Sequence, residues 1–128
     1  MNEASAIPAE VLEGFRESLT KLRGFQRRAV DSLYAGDYKE GGDRLKVLFN
    51  AWGDFLQGIR DLLPCLPGPL AESVSAAVAG TRVYLQEVQA AIVRKDWVET
   101  ADRLGVDGGP LFVEWEAVFS GGGSPDEN

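Results

Sequence analysis

The chain has 128 residues, is 45% hydrophobic and 26% charged, and carries a net charge of −7. That balance suits one globular domain with a substantial core, and the negative charge disfavours generic nucleic-acid binding and attraction to anionic membranes. There is no histidine, which removes the commonest general base and metal ligand; Ser-His-Asp and Cys-His mechanisms and imidazole-bound zinc or di-iron sites are excluded.

The opening MNEASAIPAE has neither the basic nor the apolar region of a signal peptide. Uncharged stretches such as LLPCLPGPLA contain prolines and fall short of the roughly 20 residues a spanning helix needs. Cys65 is the only cysteine, so no internal disulfide framework exists. It lies in a Pro-bounded loop with no histidine or cation cluster to activate it. These features lead us to expect a reduced, cytoplasmic protein that does not span a membrane.

The first helical segment runs from about Pro8, suited to a first helical position, to Ala35. Leu12, Phe15, Leu19, Leu22, Gln26, Ala29 and Leu33 alternate in steps of three and four. Gln26 is the one polar member: either a notch at the bundle edge or a buried polar residue that fixes register. The second segment, about Tyr38 to Leu63, repeats the spacing with Leu45, Leu48, Trp52, Phe55, Ile59 and Leu62. Phe49, Leu56 and Leu63 add a second stripe, so this helix is apolar over a wide arc and sits centrally or faces a partner.

PCLPGP (64–69) stops that helix, because proline lacks the N–H and clashes with the preceding turn. A third segment begins near Pro69 with Gly68 as a cap. Its stripe is Leu70, Val74, Ala77/Val78, Thr81, Leu85, Val88 and Ile92, and its small residues SVSAAVAG (73–80) suggest close packing. The fourth runs from Trp97 to Phe119, with Ala101, Leu104, Leu111, Trp115 and Val118 on one face. VDGGP (106–110) costs several kcal/mol of helix propensity, so a kink or break is expected near Asp107–Pro110. GGGSPDEN (121–128) reads as a flexible tail.

GDYKEGGDRL (36–45) returns 59 residues later as KDWVETADRL (95–104). Asp37 and Asp96 are good N-caps, and Glu40 and Glu99 stand at capping-box spacing, near the positive end of the helix dipole. Gly36 can end the preceding helix in a left-handed conformation. Capping explains the acids but not the recurrence of Arg44 and Leu45 as Arg103 and Leu104, which points to an internal duplication. We expect an all-α, antiparallel up-down-up-down four-helix bundle. A single domain covers 1–120, with hairpins over 8–63 and 69–119 and a linker at 64–68.

Glu10 and Glu13 followed by Glu40 and Asp43 resemble the ExxE…ExxD signature of all-α nucleotide pyrophosphohydrolases. A first helix of ~28 residues is about 42 Å long, which puts the two pairs at opposite ends of a hairpin. A rim of Asp37, Glu40, Asp43, Asp96, Glu99 and Asp102 is the remaining place for a cation, with solvated helix ends the plainer reading. No catalytic, cofactor-binding or metal-ligating residue is therefore assigned, and a metal-dependent all-α hydrolase is only the alternative.

Lys21, Arg23, Arg27 and Arg28 form a basic patch that either pairs with neighbouring acids or docks an acidic partner. Trp52, Trp97 and Trp115 fall on core stripes. Val30, Phe49, Leu56, Leu63, Phe112 and Phe119 exceed what a four-helix core needs, and some of them are expected to line a dimer face or a groove for a partner helix. The candidate partner-binding residues are thus Phe49, Leu56, Leu63, Arg23 and Arg27. An acidic bundle of long helices with no catalytic constellation resembles bacterial flagellar export chaperones and similar secretion chaperones. ADRLGVDGGPLFVEWEAVF (101–119) is similar to the closing helix of uncharacterised bacterial bundle proteins, with the Gly108-Gly109 pair as a departure. The resemblance implies a non-enzymatic, chaperone-like adaptor that binds a protein partner or a second copy of itself. A purely structural oligomer subunit is the other alternative.

Overall fold

A computed structural model describes residues 7–120, and the 121–128 segment expected as a tail lies outside them. The chain forms an all-α, antiparallel four-helix bundle: α1 (Ala9–Tyr34), α2 (Tyr38–Leu62), α3 (Gly68–Val93), and a fourth helix assembled from α4 (Trp97–Asp102), a π-helical turn (Arg103–Asp107) and α5 (Gly108–Phe119). Among the described residues no helix is long and apolar enough to cross a membrane. Two element starts differ slightly from the sequence expectation. Pro8 is the N-cap of α1, not its first residue, and α3 begins at Gly68 behind Pro67.

The two ends marked by the repeated decapeptide are built alike. Ala35, Gly36 and Asp37 donate their N–H groups to Asp31, Leu33 and Ser32, and Arg94, Lys95 and Asp96 donate to Ala90, Ile92 and Ala91. The left-handed residue of each closure is Gly36 (φ 81°) and Lys95 (φ 58°), a conformation in which a side chain costs about 1 kcal/mol that glycine avoids. Asp37 accepts from the Glu40 N–H at 3.1 Å and Asp96 from the Glu99 N–H at 3.0 Å, so both N-caps form, while the reciprocal half of a capping box does not, because the cap N–H groups are already bonded to Ser32 and Ala91. Arg44 pairs with Glu40 and Arg103 with Glu99 one turn on, at 2.7 and 3.3 Å.

Matching residues also meet across the bundle. Tyr38 stacks on Trp97 (centroids 5.8 Å apart), Trp52 lies against Phe112 (5.4 Å), and Phe55 meets Trp115 edge to face (5.0 Å). The α2 and α4–α5 helices are therefore the diagonal pair of a nearly two-fold arrangement. Trp97 is half-buried at this end, not in the central core where its stripe suggested, while Trp52 and Trp115 are fully buried.

The kink or break expected near Asp107–Pro110 takes the form of a π turn that ends at Asp107, and α5 itself runs through Gly108, Gly109 and Pro110. The buried residues Leu45 and Leu104 are 59 positions apart, yet Trp52 and Phe112, Phe55 and Trp115, and Ile59 and Phe119 are each 60 apart. Relative to α2, the fourth helix therefore carries one extra residue between Leu104 and Phe112. A π turn absorbs such an extra residue within the ladder and rotates the downstream residues by about 100°. Pro110 gives a reason for the wider turn, because its ring demands space near the carbonyl of Val106, inside the π segment. The rotation brings Phe112 and Phe119 into the core at 1% and 0% exposure, which corrects their reading as surplus positions.

Candidate functional site

Around the bundle, α1 packs along α2, α4 and α5, and α3 packs along α4 and α5. The two-fold counterpart of the α1–α4/α5 interface is the α2–α3 interface. That one is more widely spaced: few backbone positions of α2 and α3 come close, and the two helices meet through Trp52, edge to face with Tyr84 at 6.3 Å between ring centroids. Of the small residues of α3, Ala77 is fully buried and a Cβ on Gly80 would touch Leu111 of α5 at 3.8 Å, whereas Ser73, Ser75, Ala76 and Ala79 are exposed, so only part of the close packing expected of this stretch is formed. On the α2 side, the large rings of Trp52 and Phe55 reach across to Phe112 and Trp115.

The α2–α3 seam holds a groove of about 260 Å³, floored by Leu56, Ile59, Leu63, Val78 and Ala79 and flanked by Arg60 on α2 and Arg82 on α3. Leu56 and Leu63, two of the three apolar candidates, line it. Phe49 does not; it is half-buried against the core cluster further up α2. Arg60 and Arg82, both exposed, were not recognised from the sequence. The available signal was the lack of any acid three or four positions away on their own helices.

The basic patch is divided. Arg23 is engaged within the bundle, 3.1 Å from Glu116 on α5 and with its guanidinium 5.2 Å from the Phe112 ring centre. Arg27 is exposed and forms no ion pair among the described residues. On the fourth helix, Arg103 lies between Asp107 and Glu99 at 3.3 Å from each, with Glu87 at 4.0 Å. Its charge offsets the second half of the acidic rim, and these acids together hold the guanidinium pKa above its ordinary value. No group of three or more His, Cys, Asp or Glu residues is placed to hold a metal ion among the described residues.

Gln26 is buried and accepts a hydrogen bond from the Tyr84 hydroxyl. Of the two roles open for it, the structure gives it the buried one. The residue it binds was missed, because the α3 stripe read through Leu85, whereas Tyr84 is 4% exposed and Leu85 only half-buried. Beside this pair, the Trp115 indole N–H donates to Thr81 at 2.9 Å, and Thr81 donates to the Ala77 carbonyl at 2.8 Å. Trp52 Nε1 is a buried donor with no partner among the described residues.

Burial, with the charge of Asp107 nearby, pushes the Tyr84 hydroxyl well above the ordinary tyrosine range. The folded state therefore keeps the phenol neutral, while the unfolded chain loses its proton near about pH 10. Stability is intact below that pH and falls as pH rises above it. In denaturant titrations, Tyr84→Phe should cost about 1 kcal/mol at pH 8 by leaving Gln26 unpaired. Above pH 10 its stability should fall less steeply than wild type, by up to about 1.4 kcal/mol per pH unit. Parallel curves for the two proteins would contradict this.

Compared with known proteins, the chain matches no family model, no curated protein and no solved structure. Its class is accordingly set by its own geometry: a four-helix bundle with an apolar, basic-edged groove along the widely spaced α2–α3 side.

Proposed function

We propose that this bundle is a non-catalytic, chaperone-like protein-binding module, and that its docking site is the α2–α3 seam. The observation that carries the reading is the asymmetry of an otherwise two-fold arrangement. The α1–α4/α5 side is filled by the protein's own packing, whereas its counterpart leaves Leu56, Leu63 and Val78 around an unfilled groove. An apolar slot between two parallel walls suits a helix laid in a groove. The matched closures, caps and ion pairs 59 residues apart support a duplicated hairpin as the origin of this architecture. After such a duplication, one of two equivalent interfaces is available for a partner. The expected compartment is the cytoplasm.

Leu56→Asp and Leu63→Asp test the site. Both residues are half-buried at the groove, so each variant should stay folded, with a stability loss of about 1–2 kcal/mol. Each should lose a partner that wild type retains in quantitative co-purification, while Arg27→Glu keeps it. Retention by both Leu variants would remove the seam from consideration.

A further inference from the structure

We infer that the seam recognises an acidic amphipathic helix, a partner segment that seats apolar side chains between Leu56 and Leu63 and sets a carboxylate beside each of Arg60 and Arg82. The inference rests on the seam being the docking site and adds the chemistry of its occupant. Arg16, Arg44 and Arg103 each have an acid three or four positions away and pair with it. Arg60 has Leu56, Gln57, Leu63 and Pro64 at those positions, and Arg82 has Val78, Ala79, Leu85 and Gln86.

Neither arginine forms an ion pair across the bundle among the described residues; Arg60 makes only a 2.9 Å hydrogen bond to Gln57. In a chain of net charge −7, two uncompensated guanidiniums on opposite walls of an apolar slot complement a negative partner. Guanidinium suits the role, since its planar fork can grip a carboxylate with two hydrogen bonds.

The spacing of the apolar wall suits a helix. Leu56 and Leu63 are two turns apart, a rise of about 10 Å, which an i and i+7 pair on a partner helix reproduces. A second copy of this chain is disfavoured by the repulsion between two acidic bundles.

Two synthetic probes test this, each a labelled alanine-rich peptide of roughly 18 residues, long enough to be helical. Both carry leucines on one face; one bears glutamates at the flanking positions and the other lysines. By fluorescence anisotropy the glutamate peptide should bind at least about tenfold tighter, with the advantage shrinking as salt is added. The double variant Arg60→Glu/Arg82→Glu should reverse the preference. Equal affinity for both peptides would leave the seam as a helix site and overturn its acidic specificity. Binding of neither would overturn the docking reading itself. A dimer in sedimentation that dissociates in the double variant would assign the seam to a second copy and overturn the inference.

Discussion

In a Pro110→Ala background, deletion of Gly105 should leave the bundle folded, and deletion of Val113 should unfold it. Both residues are exposed and both deletions shorten the same helix by one position. Only the first removes the extra residue. Without it, Leu104 is followed by Gly108, Phe112, Trp115 and Phe119 in the 3,4,3,4 spacing of Leu45, Leu48, Trp52, Phe55 and Ile59, and the π turn can become α. The proline is replaced because a regular helix would bring its ring against the Val106 carbonyl at a cost of about 3 kcal/mol. Deleting Val113 instead turns Trp115 and Phe119 out of the core by about 100°. Losing two such aromatics costs about 6–10 kcal/mol, comparable with the whole stability of a domain this size. Circular dichroism melts of the two variants decide the matter. If the Gly105 deletion also unfolds, the one extra residue is the wrong account of the π turn.

Opposite signs are expected at two adjacent glycines. A Cβ on Gly108 would stand 2.7 Å from Gln26 Oε1 and 2.8 Å from Nε2, whereas one on Gly109 meets nothing within 4 Å. Gly109→Ala should therefore stabilise the protein by up to about 1 kcal/mol through helix propensity alone. Gly108→Ala gains the same propensity but displaces a buried side chain that accepts the Tyr84 hydrogen bond. Overpacking of this kind costs about 1–3 kcal/mol, so its net effect should be a loss of about 1 kcal/mol. Denaturant midpoints measured side by side test it, and stabilisation by both changes would mean that α1 and α5 are not held together at this point.

The sequence carried the helices and their caps because those signals are local. Asp37, Glu40, Asp96 and Glu99 act within one turn of themselves, and the 3,4 spacing of α1 and α2 names their buried faces directly. Signals that accumulate along a helix were read less well. A single extra residue leaves each half of the fourth helix regular but changes their relative phase, so Phe112 and Phe119 looked like excess when they belong to the core. The tolerance of α5 for Gly108 and Gly109 was hidden because the helix's apolar packing outweighs propensity. Tyr84 was passed over for Leu85 because a strictly apolar stripe has no place for a phenol whose partner, Gln26, is 58 residues away. For the site, periodicity offered Leu56 and Leu63 but could not separate them from Phe49. Which helix faces which, and which side is more widely spaced, depends on large rings such as Trp52 and Trp115 meeting across the core.

The central claim is that the seam receives a protein partner. Site-specific photocrosslinking in cells tests it most directly, with a benzoylphenylalanine placed at Leu63 in one variant and at Arg27, on the competing basic patch, in another. The account predicts one discrete adduct from position 63 and none from position 27. An adduct from position 27 alone, or no adduct from position 63, would contradict it.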